Sequence, residues 1–277
     1  MGKQTHNPVA AVLAWVARRP GYMLLVSDDE RLAAEAPERF ARAWVGLMVM
    51  SLVWGVVLMN LWGVAWTVFR DYEPLILPAM ATTALFCLWP FRRSLSALAE
   101  VVGGPAPAGQ SVAAATLTLV VGMCLMGLKP DWQRWEWWEW PAMRWLINWL
   151  RPETKLYRVL LLMPLWGAWA MLIALKFCRS SDRTEPQVAA LAAGCRAPAA
   201  AGCMAVLLLI SVVYFQHLGP GSQAVLLVAP VLAAVFGGIG LCRRCGGVCR
   251  KALLGVNVLT QIVFVLAYLA GREIGRG

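Results

Sequence analysis

The chain has 277 residues, of which 60% are hydrophobic and 14% are charged, and its formal net charge is +10. Ordinary soluble domains contain roughly 25% charged residues, so this composition excludes a conventional soluble domain of this length. The excess of cations follows the pattern of membrane topology described below, and we expect no nucleic-acid partner.

Residues 1–42 are predicted to be a cytoplasmic amphipathic segment that lies on the bilayer surface, with a docking site for a partner as the alternative. The apolar stretch Pro8–Ala17 has only ten residues, is closed by Arg18 and Arg19 and lacks a small-residue cleavage pattern, so we do not expect a signal peptide. A helix is expected from Asp28 or Asp29 through Arg42, and Pro37 is able to kink or split it. The pattern also predicts two ion pairs and one apolar stripe: Glu35–Arg39, Glu38–Arg42, and Leu32, Ala36 and Phe40.

The remainder of the chain alternates between long apolar runs and short cationic loops. Seven runs contain no Asp, Glu, Lys or Arg: 43–69, 74–91, 111–128, 159–175, 197–218, 222–241 and 252–270. About 17 to 25 apolar residues suffice for a helix to cross roughly 30 Å of hydrocarbon, and lipid leaves backbone amides no partner outside the helix. The sequence therefore predicts an all-α, polytopic transmembrane helix bundle of about seven spans at 43–270, with amphipathic interfacial helices and a C-terminal tail at 271–277.

The distribution of Lys and Arg predicts the orientation of the bundle. If the N-terminus is cytoplasmic, 16 of the 25 cations fall in the four inner segments and 9 in the outer ones. The positive-inside rule then predicts a cytoplasmic N-terminus and an external C-terminus, in a plasma or inner membrane.

The outer loop 129–156 is unusually rich in tryptophan. Seven of the fifteen tryptophans lie between residues 132 and 149, and indole rings favour the headgroup boundary. We interpret this segment as an interfacial collar, with a partner-protein surface or a ligand site around Glu136 and Glu139 as alternatives. The predicted membrane anchors are Trp132, Trp135, Trp138, Trp145 and Trp149.

Cysteines cluster near the predicted cytoplasmic end of the sixth span. Cys242, Cys245 and Cys249 have C-x2-C-x3-C spacing, in which thiolates are able to bind zinc or an iron–sulfur cluster. Three ligands are one short of a closed site, and either Cys178 or Cys195 would have to supply the fourth. Because clustered small residues at a helix end are the commoner explanation, we expect no cofactor and keep zinc or iron–sulfur as the alternative.

The spans lack the charged residues that proton relays use, which disfavours a proton-coupled pump. Their most ordered polar feature is Asn257, Thr260 and Gln261, spaced i, i+3 and i+4 on one face of the last span. Such a stripe most often hydrogen-bonds a neighbouring helix. Lining a substrate path is the alternative.

Motifs for nucleotide binding, serine hydrolysis and zinc proteolysis are missing from the sequence. The sequence thus favours a non-catalytic subunit or scaffold of a membrane assembly, with the lipid bilayer and protein partners or self-association as its contacts. The first alternative is a facilitative transporter or channel for a neutral or lipid-like cargo. The second is a membrane-embedded metal or redox protein that uses Cys242, Cys245 and Cys249.

Overall fold

The computed structural model describes residues 19–69, 76–88, 91–128, 155–181 and 184–274. In this part of the chain every regular element is helical, which confirms the predicted all-α bundle. The α-helices are α1 Pro20–Val26, α2 Asp29–Ala33, α3 Ala43–Phe69, α4 Ile76–Leu88, α5 Arg92–Gly103, α6 Pro107–Gly127, α7 Lys155–Phe177, α8 Pro186–Gly194, α9 Ala197–Tyr214, α10 Pro220–Leu232, α11 Gly238–Cys245 and α12 Arg250–Ile274. A 3₁₀ turn at Pro37–Phe40 precedes α3, and a π-helical segment at Ala233–Gly237 joins α10 to α11.

Six of the described helices are long and apolar enough to cross a membrane, so the chain is a multi-pass membrane protein. They are α3, α6, α7, α9, α12 and the continuous stretch from α10 through α11. Each coincides with a predicted apolar run, and α3 begins and ends at the predicted residues. The remaining predicted run, 74–91, is represented by α4, whose 13 residues span about 20 Å at 1.5 Å per residue.

The positions of α3 and α5 show that the chain returns across the bundle between them. The start of α3 packs against Gly21 of α1, whereas Gly63 near its other end contacts Tyr157 at the start of α7. Arg93 of α5 forms an ion pair with Asp28, which lies between α1 and α2. Because α3 leaves this end of the bundle and α5 lies at it again, the chain returns to this end between them, and α4 packs beside α3 and α6 in that part of the chain.

The centre of the bundle is formed by α7 and α12, and the periphery by α6 and α9. Within the spans, 83% of α7 residues and 78% of α12 residues are buried, compared with 17% for α6 and 22% for α9. Trp166 packs edge-on against Trp169 and stacks on Phe264, with ring centroids 5.6 and 5.9 Å apart. The peripheral helices direct apolar side chains such as Leu119 and Leu209 outward, as lipid-facing helices do.

Glycines set the closest approaches to α7. A Cβ atom at Gly55 of α3 would lie 2.3 Å from the Leu161 carbonyl oxygen, and one at Gly167 would lie 2.5 Å from Asn257 Oδ1 of α12. Real side-chain atoms do not approach this closely, so only glycine permits the observed packing. Small residues are the usual means by which membrane helices achieve such contact.

The N-terminal segment, residues 19–42, differs from its predicted form. Instead of one helix to Arg42 it contains α1, α2 and the 3₁₀ turn, which begins at Pro37 because proline restricts the residue before it and lacks an N–H donor. The Glu35–Arg39 ion pair is present, and Leu32 and Phe40 are buried, whereas Ala36 is exposed. The segment packs on the end of the bundle through these two side chains and through Leu24 and Leu25 of α1.

Candidate functional site at the polar end of the bundle

Four segments meet at one end of the bundle, which we call the polar end: residues 19–42, α5, the loop region 178–196, and residues 242–251. Ion pairs link Arg93 to Asp28 and Lys251 to Glu100. Thr184 Oγ1 donates a hydrogen bond of 2.7 Å to the Val248 carbonyl. These are the four segments that the positive-inside rule predicts to share one side of the membrane.

Arg250, at the start of α12, is the central side chain of the polar end. Its guanidinium is 4% exposed, pairs with Asp29, and donates from Nε to the Leu24 carbonyl at 2.9 Å. Further bonds reach the carbonyls of Ser27 and Met23. A cation is unfavourable at a helix N-terminus, and the Glu185 carboxylate offsets it by accepting the Arg250 backbone N–H at 3.1 Å.

A second buried side chain, Gln187 of α8, also holds the N-terminal segment. Its Nε2 donates to the carbonyls of Leu32 and Glu35 at 3.0 and 3.1 Å. These carbonyls lie where the helix that the sequence predicted is interrupted, so Gln187 replaces the hydrogen bonds that a continuous helix would supply. Sequence reasoning missed both Gln187 and Arg250, because their partners lie more than 150 residues away.

The polar end contains a cavity of about 570 Å³ between the N-terminal segment, α5 and α12. Its lining includes four cations and four carboxylates, so the formal charges balance. The charged residues are Asp28, Asp29, Arg92, Arg93, Glu100, Glu185, Arg250 and Lys251. The cavity therefore offers both hydrogen-bond donors and acceptors to a polar partner, within walls held by ion pairs between elements.

The cysteines of the polar end form two neighbouring thiol pairs. Cys242 hydrogen-bonds to Cys178, and Cys245 to Cys249. Cys195 lies elsewhere, beside Lys176 and Cys203, and burial raises its pKa. Within the described part of the chain no group of three or more Cys, His, Asp or Glu side chains has an arrangement suited to a metal ion, so the geometry gives the zinc or iron–sulfur alternative no support.

The polar stripe of the last span lies against α7. Asn257, Thr260 and Gln261 are all fully buried. Gln261 donates to Asn257 Oδ1, and Asn257 Nδ2 donates to the sulfur of Met171 at 3.1 Å. Thr260 Oγ1 and Gln261 Oε1 have no hydrogen-bond partner among the described residues. This is the geometry of a helix contact, and none of the three residues lines the polar-end cavity.

The predicted tryptophan anchors Trp132, Trp135, Trp138, Trp145 and Trp149 lie outside the described residues. Their interfacial role stays a prediction. The chain matches no protein family, no curated protein and no solved structure. Its function therefore has to be inferred from the geometry above.

Proposed function

We propose that the protein is a non-catalytic subunit or scaffold of a membrane assembly, and that the polar end engages the partner. The observation that carries this proposal is the separation of a tightly packed bundle centre from a charged, structured surface at one end. The inner helices α7 and α12 bring large aromatic side chains together. Near them, a void between α4, α6, α7 and α12 measures about 10 Å³, which holds at most one water molecule.

The polar end has the properties of a preformed docking surface. Arg250 and Gln187 fix the N-terminal segment from two directions, so little conformational entropy remains to be lost on binding. Asp29 is 87% exposed although it is paired, and Glu100 and Lys251 are 38% and 52% exposed. Charges of both signs in fixed positions favour a partner of complementary pattern.

The proposed placement is a plasma or inner membrane with the polar end in the cytoplasm. The contacts are lipid along the outward faces of α6 and α9, and another protein or a second copy of this chain at the polar end. Support comes from the grouping of the cationic segments at this end and from the positive-inside rule.

Extraction in a mild detergent followed by native mass spectrometry tests the proposal. We expect the protein to leave the membrane in a complex of fixed stoichiometry. Glu100→Lys at the polar end should release the partner, whereas the control Glu273→Lys, at an exposed carboxylate near the opposite end, should not. A lone monomer from gently extracted native membranes would contradict the proposal.

Facilitative transport of a neutral or lipid-like cargo is the second candidate, because the sixth span changes from α-helix to π-helix and back within its length. Pro230 lies inside α10, and the π-helical segment that follows this helix contacts α7 and α12. Such segments are frequent at functional sites. Vesicles containing the protein and a fluorescent phospholipid test this candidate: lipid exchange between leaflets should exceed that of empty vesicles and fall with Pro230→Ala.

A further inference from the structure

The thiols of Cys178 and Cys242 meet where α7 ends against α11. Cys178 follows the last residue of α7, and its thiol donates to the Gly238 carbonyl at 3.5 Å. The Cys242 thiol in turn hydrogen-bonds to the Cys178 sulfur. Gly238 and Cys242 are four residues apart and share one face of α11, so the Cys178 side chain lies along that face.

The two cysteines differ in the properties that decide thiol reactivity. Cys178 is partly exposed, and the hydrogen bond from Cys242 lowers its pKa although partial burial opposes this. Cys242 is 4% exposed. A partly exposed sulfur whose pKa is lowered, next to a buried second thiol, is the arrangement of redox-sensing cysteines.

We propose that Cys178 and Cys242 are a redox-sensing pair that forms a reversible disulfide by exchange with a small oxidised disulfide of the glutathione type. In the first step the Cys178 thiolate attacks one sulfur of that disulfide. A mixed disulfide forms on Cys178, and one small thiol leaves. In the second step Cys242 gives up its proton and attacks Cys178 Sγ, and the second small thiol leaves. The protein loses two protons and two electrons, and the small disulfide gains them as it is reduced to two thiols.

The position of this pair gives the bond a structural consequence. The contact between α7 and α11 is already close, since a Cβ atom on Gly238 would lie 3.3 Å from Ala174 Cβ. The π-helical segment ends at Gly237, directly before α11. A disulfide at Cys242 would therefore fasten the end of α7 to the helix that follows this irregular segment, and it would restrict movement there. The inference is independent of whether the polar end binds a partner.

Peptide mapping of the full-length protein in mild detergent tests the proposal without any substitution. After incubation with excess glutathione disulfide, we expect a Cys178–Cys242 linkage, a protein mass lower by about two hydrogens, and reversal by reduced glutathione. Peptides that contain both cysteines as free thiols, or a linkage between Cys245 and Cys249 in their place, would overturn it.

Two variants and one control test the order of attack. Cys242→Ser should accumulate a glutathione adduct on Cys178, because the second step is removed. Cys178→Ser should leave Cys242 unmodified over the same period, because its sulfur is buried. Cys245→Ser serves as the control and should still form the Cys178–Cys242 linkage. Adducts that form equally fast on Cys242 in Cys178→Ser would refute the assigned roles.

Discussion

At the scale of single residues, buried polar side chains attach the N-terminal segment to the bundle. Arg250 and Gln187 together donate to six backbone carbonyls that lie in or just after the last turns of α1 and α2. A buried carbonyl without a donor costs roughly 1–3 kcal/mol, so each side chain contributes through the groups it satisfies as much as through its charge. The Asp29 partner of Arg250 is largely exposed, and solvent screening makes that ion pair the smaller contribution.

Replacing Arg250 with Met should release the N-terminal segment. The free energy that holds residues 19–42 on the bundle should fall by about 2–3 kcal/mol, because the Leu24 and Ser27 carbonyls lose their donor. Hydrogen exchange of residues 20–40 measures this directly. Lys251→Met is the matched control: Lys251 is 52% exposed, so its loss should change the same free energy by about 0.5 kcal/mol or less.

A second residue-scale prediction concerns the contact between α7 and α12. Gly167→Ala should destabilise the bundle by about 1–3 kcal/mol, the usual range for an overpacked interior, since the new Cβ would meet Asn257 at 2.5 Å. Thermal unfolding followed by circular dichroism in detergent measures the change. Gly202→Ala in α9 has no heavy atom within 4 Å of its new Cβ and should leave the unfolding midpoint unchanged or raise it.

At the scale of elements, the apolar runs could be predicted because each one alone satisfies the length requirement of a membrane span. This is why α3 begins at Ala43 and ends at Phe69 as expected. The N-terminal segment could not be predicted in the same way, because its form depends on Gln187 and Arg250 from distant parts of the chain. The π-helical segment at Ala233–Gly237 has no local sequence pattern that would predict it either.

Pro230 lies inside α10, and its missing N–H leaves the Leu226 carbonyl without its usual helical donor. Pro230→Ala should restore this bond and slow amide hydrogen exchange in residues 226–237 about tenfold. Pro220→Ala is the matched control, since Pro220 occupies the first turn of α10, where no intrahelical donor is needed. Equal exchange in the two variants would mean that Pro230 is not the cause of the irregularity.

At the scale of the whole molecule, the distribution of Lys and Arg along the sequence predicted which segments lie at the same end of the bundle. Arg93 and Lys251 belong to two different loop regions, and the structure brings both of them to the polar end. The sequence could not predict that Cys178, and not Cys195, lies next to Cys242. Both cysteines lie in the same predicted loop, and only the packing of α7 against α11 distinguishes them.

An odd number of crossings places the two ends of the chain on opposite sides of the membrane. The described ends agree, since α1 packs at the polar end and Gly271 packs against Ser222 at the other. Epitope tags at the N- and C-termini should therefore differ in protease sensitivity. In intact cells we expect cleavage of the C-terminal tag only, because the proposed orientation places the N-terminus in the cytoplasm. Cleavage of both tags, or of neither, would contradict seven crossings.

The large sequence separation between Arg250 and its hydrogen-bond acceptors determines when the N-terminal segment is able to dock during biosynthesis. Its hydrogen bond to the Leu24 carbonyl spans 226 residues. Residues 19–42 are therefore synthesised long before the Arg250 side chain that holds them on the bundle. Ribosome-bound or prematurely terminated chains that lack α12 would present residues 19–42 without the Arg250 side chain that holds them. Docking of residues 19–42 thus requires that translation has passed Arg250 and that the start of α12 has reached the polar end.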